Sequence, residues 1–272
     1  MTDSGRIRAG VGGWTFAPWR GVFYPPGLKH AEELEYASRR LTAIEINGTY
    51  YSTFKPETFA KWRAATPDGF RFSVKASRFS TNRKLLADAG PSMQVFLEQG
   101  LVELGDRLGP ILWQFMPTKR FDPADFEAFL ELLPHRLEGL ALTHVVEPRH
   151  ASFADPAFIA LCRKHKVAVC LAHHASYPLI PDVTADLVYL RLQCGSDDVE
   201  TAYPAAELDM WADRLRAYAA GGRPAGLDPI DPDTAAPHRP RDVYVFVIHE
   251  GKVRAPAGAM ALLKRLGEAP PA

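Results

Sequence analysis

The residues best suited to chemistry in this chain sit at the ends of short apolar stretches and share one parity. Positions two apart on a strand face the same way. That groups Glu45 with Asn47, Arg71 with Ser73 and Lys75, Glu147 with Arg149, and Arg191 with Gln193. Gln114, His173 and His249 stand at or just past other apolar stretches. Burying a charge is costly unless it is paired, so such side chains within strands imply a cluster. Mutual pairing alone, Glu45 with Lys75 and Glu147 with Arg149 or Arg191, would make it a structural ion network. The charges do not balance, however: Arg71, Lys75, Arg149 and Arg191 exceed Glu45 and Glu147 by two. Surplus fixed cations in a low-dielectric cleft attract an anion such as a phosphate or carboxylate.

Aromatic residues follow the same stretches. Trp14, Phe16 and Trp19 come after the first, and Tyr50, Tyr51 and Phe54 after the second. Trp14, Tyr50 and Tyr51 suit either the stacking of a base or sugar or a packed lid, whereas Phe23 and Tyr24 read as lid. His150, His173, His174 and His249, with Glu147 and Asp182, offer imidazole and carboxylate to a divalent ion. No H-x-x-x-H or C-x-x-C spacing supports that alternative. Cys162 and Cys170 fall in apolar settings typical of inert buried thiols, and Cys194 lies nearer the polar set without an evident base.

The elements that must position these groups alternate. Strands are expected at 7–12, 42–47, 70–76, 109–116, 141–147, 167–172, 186–192 and 242–248. Helical spacing lies between them: Met93, Leu97, Leu101 and Leu104; Phe126, Phe129, Leu130 and Leu133; Leu208, Trp211, Leu215 and Tyr218. Asp122-Pro123 and Asp155-Pro156 each place a capping carboxylate before a proline at the first helical position. Parallel neighbours need long crossovers, so eight such units predict a (β/α)8 TIM-type barrel with its site at the C-terminal strand ends. An open doubly wound sheet is the alternative, but the first strand lacks a dinucleotide-binding glycine fingerprint. Residues 173–185 carry two prolines and no period, so strands six and seven are expected to be joined irregularly. Residues 221–240, with five prolines and three glycines, read as a mobile loop insertion on the opposite face of a single domain 1–272.

Composition narrows the class. The 272 residues hold 32 Lys plus Arg and 32 Asp plus Glu, which argues against a surface built wholly to track a phosphate backbone. With 47% hydrophobic and 24% charged residues, the chain has globular composition. It shows no apolar run of spanning length, no secretory signal and an odd cysteine count, so a reduced cytoplasmic setting is expected.

GGWTFAPWRGVFYPP at 12–26, AIEINGTYYSTF at 43–54, FRFSVKA at 70–76, LGPILWQFMPT at 108–118, VVEPRHASF at 145–153 and VYLRLQCG at 188–195 together resemble the domain of unknown function 72, or YecE-like, family. The resemblance implies a TIM-type barrel without an assigned activity, and a polar strand-end set of Asn47, Lys75, Gln114, Glu147, Arg149 and Arg191. It also marks departures. His173 replaces an aspartate, Gln193 replaces the histidine of an R-x-H-G motif, and His249-Glu250 replaces asparagines. His173 or His249 is the candidate to compensate.

The expected function is therefore binding, and hydrolysis or cleavage, of a small phosphorylated or carboxylated compound without an organic cofactor. Glu147 is the candidate acid or base beside Arg149, Lys75 and Arg191 clamp the anion, and Asn47 and Gln114 orient it. Lys75 as a Schiff-base amine is a subsidiary expectation. A nucleic-acid-associated binding protein using Trp14, Trp19 and Tyr51 is the alternative. A divalent-metal-dependent hydrolase or a glycosidase pair, Glu45 with Glu147, comes next. Strands two and five are nearly opposite, so that pair is expected to be too widely separated.

Overall fold

The computed structural model describes residues 4–271. Eight strands, β1 Ile7–Gly12, β2 Ala43–Ile46, β3 Arg71–Lys75, β4 Leu108–Gln114, β5 His144–Glu147, β6 Ala168–His173, β7 Leu187–Cys194 and β8 Asp242–Glu250, close into a barrel. Every neighbouring pair is parallel, and β8 closes on β1 with Ile7 opposite Val243. The expected (β/α)8 TIM-type fold is the one observed. Its outer helices include α1 Glu33–Ser38, α2 Pro56–Ala64, α3 Arg78–Thr81, α4 Gly90–Leu97, α5 Pro123–Glu131, α6 Pro156–Lys164, α7 Ala205–Ala219 and α8 Ala255–Leu266. A short hairpin, Arg136–Leu137 with Leu140–Ala141, precedes β5.

Alternation along each strand divides the molecule into two apolar regions. Ala9, Val11, Ile44, Ile46, Phe72, Val74, Trp113, Leu190 and Val245 belong to the core that includes the helix residues. Leu112, Val145, Ala168, Cys170, Tyr189 and Phe246 form a second, separate cluster on the opposite strand faces, inside the barrel. The helices bury the residues their spacing marks. Leu208, Trp211, Leu215 and Tyr218 are inaccessible on α7, contributing about 1.5–3 kcal/mol for each large apolar side chain. Asp122 and Asp155 accept hydrogen bonds from the backbone N–H of Asp125 and Ala157, capping α5 and α6.

Two connections depart from regular packing. The spacing of Met93, Leu97, Leu101 and Leu104 suggests one helix, but α4 stops at Leu97 and the chain continues as a tighter turn from Leu101 to Arg107. Gly100 lies between them at φ +112°, where a Cβ would come within 2.5 Å of the Pro56 Cα. Close approach to α2 therefore breaks the helix while all four apolar residues stay buried. Between β6 and β7 there is no helix, as expected. Residues 221–240 contain neither helix nor strand. They lie toward the N-terminal strand ends, where the Asp182 carboxylate accepts from the backbone N–H of Ile230 and Asp231 at 2.7 and 3.0 Å.

Candidate functional site

The C-terminal ends of β2, β3, β4, β5 and β7 bring together most of the expected polar set. Arg191, buried on β7, lies between two carboxylates. Its Nη2 is 3.0 Å from Glu45 Oε1 and its Nη1 is 2.5 Å from Glu147 Oε2. The other Glu45 oxygen accepts from the Tyr189 hydroxyl at 2.7 Å, and that hydroxyl is 2.7 Å from Ser73 Oγ. Arg149, just past β5, donates through Nε and Nη2 to Glu147 Oε1 at 3.1 Å each. Gln114 Oε1 accepts from Arg149 Nη2 at 2.6 Å and from Arg191 Nη1 at 3.3 Å, so its amide oxygen bridges the two guanidinium groups. Both carboxylates are fully buried.

The electrostatics follow from this layout. Burial pushes the Glu147 carboxyl upward, but Arg191, Arg149 and Lys75 more than offset it and hold it below the usual carboxylate range. Burial works against the Arg191 charge, and Glu147 and Glu45 reverse that effect and raise its pKa. Lys75 differs. Burial and the Arg191 charge pull its ammonium down to about 8, against a weaker upward pull from Glu45 and Glu147. Among the described residues no carboxylate lies within ion-pair distance of it, and Nζ stands 4.2 Å from the centre of the Tyr50 ring.

Above this network opens a cavity of about 930 Å³. Lys75, Gln114, Arg149, Arg191, Asn47 and Gln193 reach it from the strand ends, and Trp14, Tyr50, Tyr51, Trp62, His249 and Lys252 from the loops and helices. Trp14 meets Trp62 edge to face at 5.2 Å, whereas Tyr51 is 60% exposed at the rim. Asn47 lies against Gly12, where a Cβ would fall 2.7 Å from the Asn47 Nδ2. Gln193 is buried, and its Nε2 has no hydrogen-bond partner among the described residues. Phe23 and Tyr24 are buried side packing. A second cavity, of about 990 Å³, lies at the opposite barrel end between strand starts and residues 234–241, and contains none of this network.

Several expectations need correction. Arg71 faces the barrel interior but at its N-terminal end, where its pKa is lowered by burial and by the neighbouring charge of Arg8. The cation surplus among the strand-end residues therefore falls from two to one, and Lys252 adds a further cation on the cavity wall. His173 does not reach the mouth. The inward positions of β6 are occupied by Ala168 and Cys170, so His173 turns outward, 5.0 Å from the Trp211 ring on α7. His174 stacks on Tyr177 at 3.8 Å and meets His249 at 5.5 Å. The ligand set considered for a divalent ion does not converge: His150 caps the turn at Ser152, and Asp182 faces residues 230–231. Among the described residues, no group of three or more His, Cys, Asp or Glu is placed to hold a metal ion. Glu45 and Glu147 are also closer than expected, because one guanidinium spans both and keeps them well under ~10 Å apart. Both carboxylates are paired with Arg191. Cys162 and Cys170 are buried thiols pushed well above their ordinary pKa by desolvation.

Other contributors were hidden in the sequence. Tyr189 shares the parity of Arg191, yet a tyrosine within a strand reads as apolar filling. Tyr177, which accepts from Arg149 Nη1 at 3.2 Å, lies in the aperiodic β6–β7 connection. Trp62 sits on α2, remote in sequence from any strand end.

The comparisons agree with this architecture. The family model described as "Protein of unknown function DUF72" matches residues 8–272. UPF0759 protein YecE of Escherichia coli strain K12 is 30% identical over 150 residues, covering 54% of this chain and 50% of that protein. The chain thus spans about half the length of the curated relative it matches. A DUF72 family protein of Thermotoga maritima superimposes with a TM-score of 0.71 at 22% identity, covering 97% of this chain and 100% of that one. A DUF72 family protein of Enterococcus faecalis gives 0.69 at 16% identity, with 98% and 99% covered. At these identities the solved structures speak for the fold. The family match runs through the whole barrel, and this chain belongs to the DUF72 family.

Proposed function

We propose that the barrel mouth binds a small phosphorylated or carboxylated compound and acts on it as a hydrolase or lyase without an organic cofactor. The observation that carries this reading is Lys75, a nearly buried cation open to the cavity with no carboxylate partner among the described residues. Arg191 is neutralised by two glutamates, and Arg149 shares one of them, which leaves Lys75 as the uncompensated charge of the strand-end set, with Lys252 also on the cavity wall, for an incoming anion. Arg149, Asn47 and Gln193 are placed to bind and orient the ligand. Glu147 is held ionised, so its part is to fix the arginines and accept a proton only when the substrate displaces one of them. The aromatic wall of Trp14, Tyr50 and Tyr51 suits the uncharged part of such a compound.

The test is thermal unfolding in inorganic phosphate at constant ionic strength. Phosphate is expected to raise the Tm of the wild type, by the equivalent of about 2.7 kcal/mol at one hundred times Kd, and to leave Lys75→Met unaffected. Equal stabilisation of both proteins overturns the reading. Loss of the phosphate effect to unrelated oligonucleotides, with steep salt dependence, favours a nucleic-acid partner instead.

A further inference from the structure

We propose that Lys75 is a catalytic amine whose Nζ captures the carbonyl carbon of a small anionic aldehyde or ketone as a Schiff base. This rests on the anion-binding reading and deepens it, by naming the substrate class as a carbonyl-bearing phosphate or carboxylate.

Two independent features of the mouth support it. The first is the isolation of the amine. Lys75 is only 8% exposed, yet it lines the cavity. The charged groups facing it are Glu45 from β2, Glu147 and Arg149 from the end of β5, and Arg191 from β7. Both carboxylates are already committed to arginine, so none is left to pin the ammonium in its charged form. With its pKa near 8, a usable fraction is free amine at neutral pH, the nucleophilic state. The face of the Tyr50 ring beside Nζ supplies a wall that accepts no proton. The second is the orphaned donor of Gln193. Gln193 lines the same cavity, its buried Nε2 has no partner among the described residues, and a buried donor left unmade is unfavourable until something accepts from it. A carbonyl oxygen, gaining negative charge as the amine attacks, is such an acceptor.

The step balances without any redox partner. The ammonium first gives a proton to solvent, and the freed nitrogen lone pair forms the C–N bond as the carbonyl π pair moves to oxygen. A proton passes from nitrogen to that oxygen to give a carbinolamine. The hydroxyl then takes up a proton from solvent, the C–O bond breaks, water leaves, and the nitrogen lone pair forms the C=N bond of a protonated imine. The protonated imine restores the single positive charge of the starting ammonium, so the substrate anion is countered in the product as it was at the start. An iminium at this position withdraws electrons from the adjacent carbon, which is the chemistry a lyase requires.

The experiment uses the full chain incubated separately with pyruvate and glyceraldehyde 3-phosphate in cyanoborohydride, followed by peptide mapping. The proposal predicts reductive labelling of Lys75 about tenfold faster than of the exposed Lys55 and Lys61, slowed by inorganic phosphate. Lys75→Arg is expected to abolish that adduct while phosphate still raises its Tm, because the charge remains. Labelling of Lys75 no faster than of Lys55 and Lys61 overturns the Schiff base, and leaves anion binding standing if phosphate still raises the wild-type Tm. Absence of any phosphate effect removes the anion-binding reading, and the adduct map then decides the role of the amine by itself. Because that map is made on the wild type, the test survives even if Lys75→Arg fails to fold.

Discussion

Lys75 destabilises the fold that holds it. Its ammonium loses most of its water and faces the Arg191 charge, with a folded-state pKa of about 8 against an ordinary 10.5. Between those values the unfolded chain binds the extra proton, so this group makes stability rise with pH across that window. The penalty is complete below pH 8 and gone above 10.5. Lys75→Met is therefore expected to exceed the wild type in stability at pH 7 by on the order of 2 kcal/mol. Urea denaturation over a pH series checks this, and a gap that does not close between pH 8 and 10.5 contradicts it. Arg191 has the opposite character. Arg191→Ala leaves Glu45 and Glu147 buried without a counter-charge and is expected to cost about 3–5 kcal/mol. Arg191→Lys should rescue little of this, because one ammonium does not span two carboxylates as the guanidinium fork does. Full recovery by lysine in the same denaturation assay counts against the bridging role. Parity alone located Glu45, Lys75, Glu147 and Arg191 on one face, but parity reports direction and not height. Arg71 and Lys75 share a face yet stand about 13 Å apart along their strand, which is why one belongs to the mouth and the other to the base. Parity applied to β6 also excludes His173, since the alternate positions Ala168, Cys170 and Ala172 take the inward face.

At the scale of elements, the strands and caps were legible because each has a local cause: an apolar alternation, or an aspartate before a proline. What escaped depends on contacts between distant segments. The break after α4 exists because Gly100 meets Pro56, and nothing near Gly100 in sequence announces it. The β6–β7 connection shows no period, so Tyr177 and Asp182 could not be placed. Asp182 ties that connection to residues 230 and 231 through two backbone N–H bonds, and Arg163 pairs with Asp231 alongside. Asp182→Ala is expected to speed amide hydrogen exchange at Ile230 and Asp231 by about tenfold, matching ~1–2 kcal/mol of lost hydrogen bonding. Exchange in β4 and β7 should remain unchanged. Unaltered protection at Ile230 would show that Asp182 does not restrain the segment.

The whole molecule separates its charges into two ends of one barrel. Arg8, paired with Asp242, and Arg71 occupy the N-terminal end. Glu45, Glu147, Arg149, Arg191 and Lys75 occupy the C-terminal end. The apolar cluster of Leu112, Val145, Cys170 and Phe246 lies within the barrel. Among the described residues no helix is long and apolar enough to cross a membrane. The balanced composition conceals this polarity: a chain with equal acidic and basic counts still presents an excess of one cation among the strand-end residues of the mouth. Sequence composition has no access to that figure, since it depends on which of four basic residues reach the same end. The most direct measurement is an NMR titration of the Lys75 side chain in protein carrying ¹³C-labelled lysine, assigned with Lys75→Met, with and without inorganic phosphate. The account predicts a midpoint near pH 8 that moves upward when phosphate is present. A Lys75 that titrates near 10.5, or whose midpoint ignores phosphate, contradicts it.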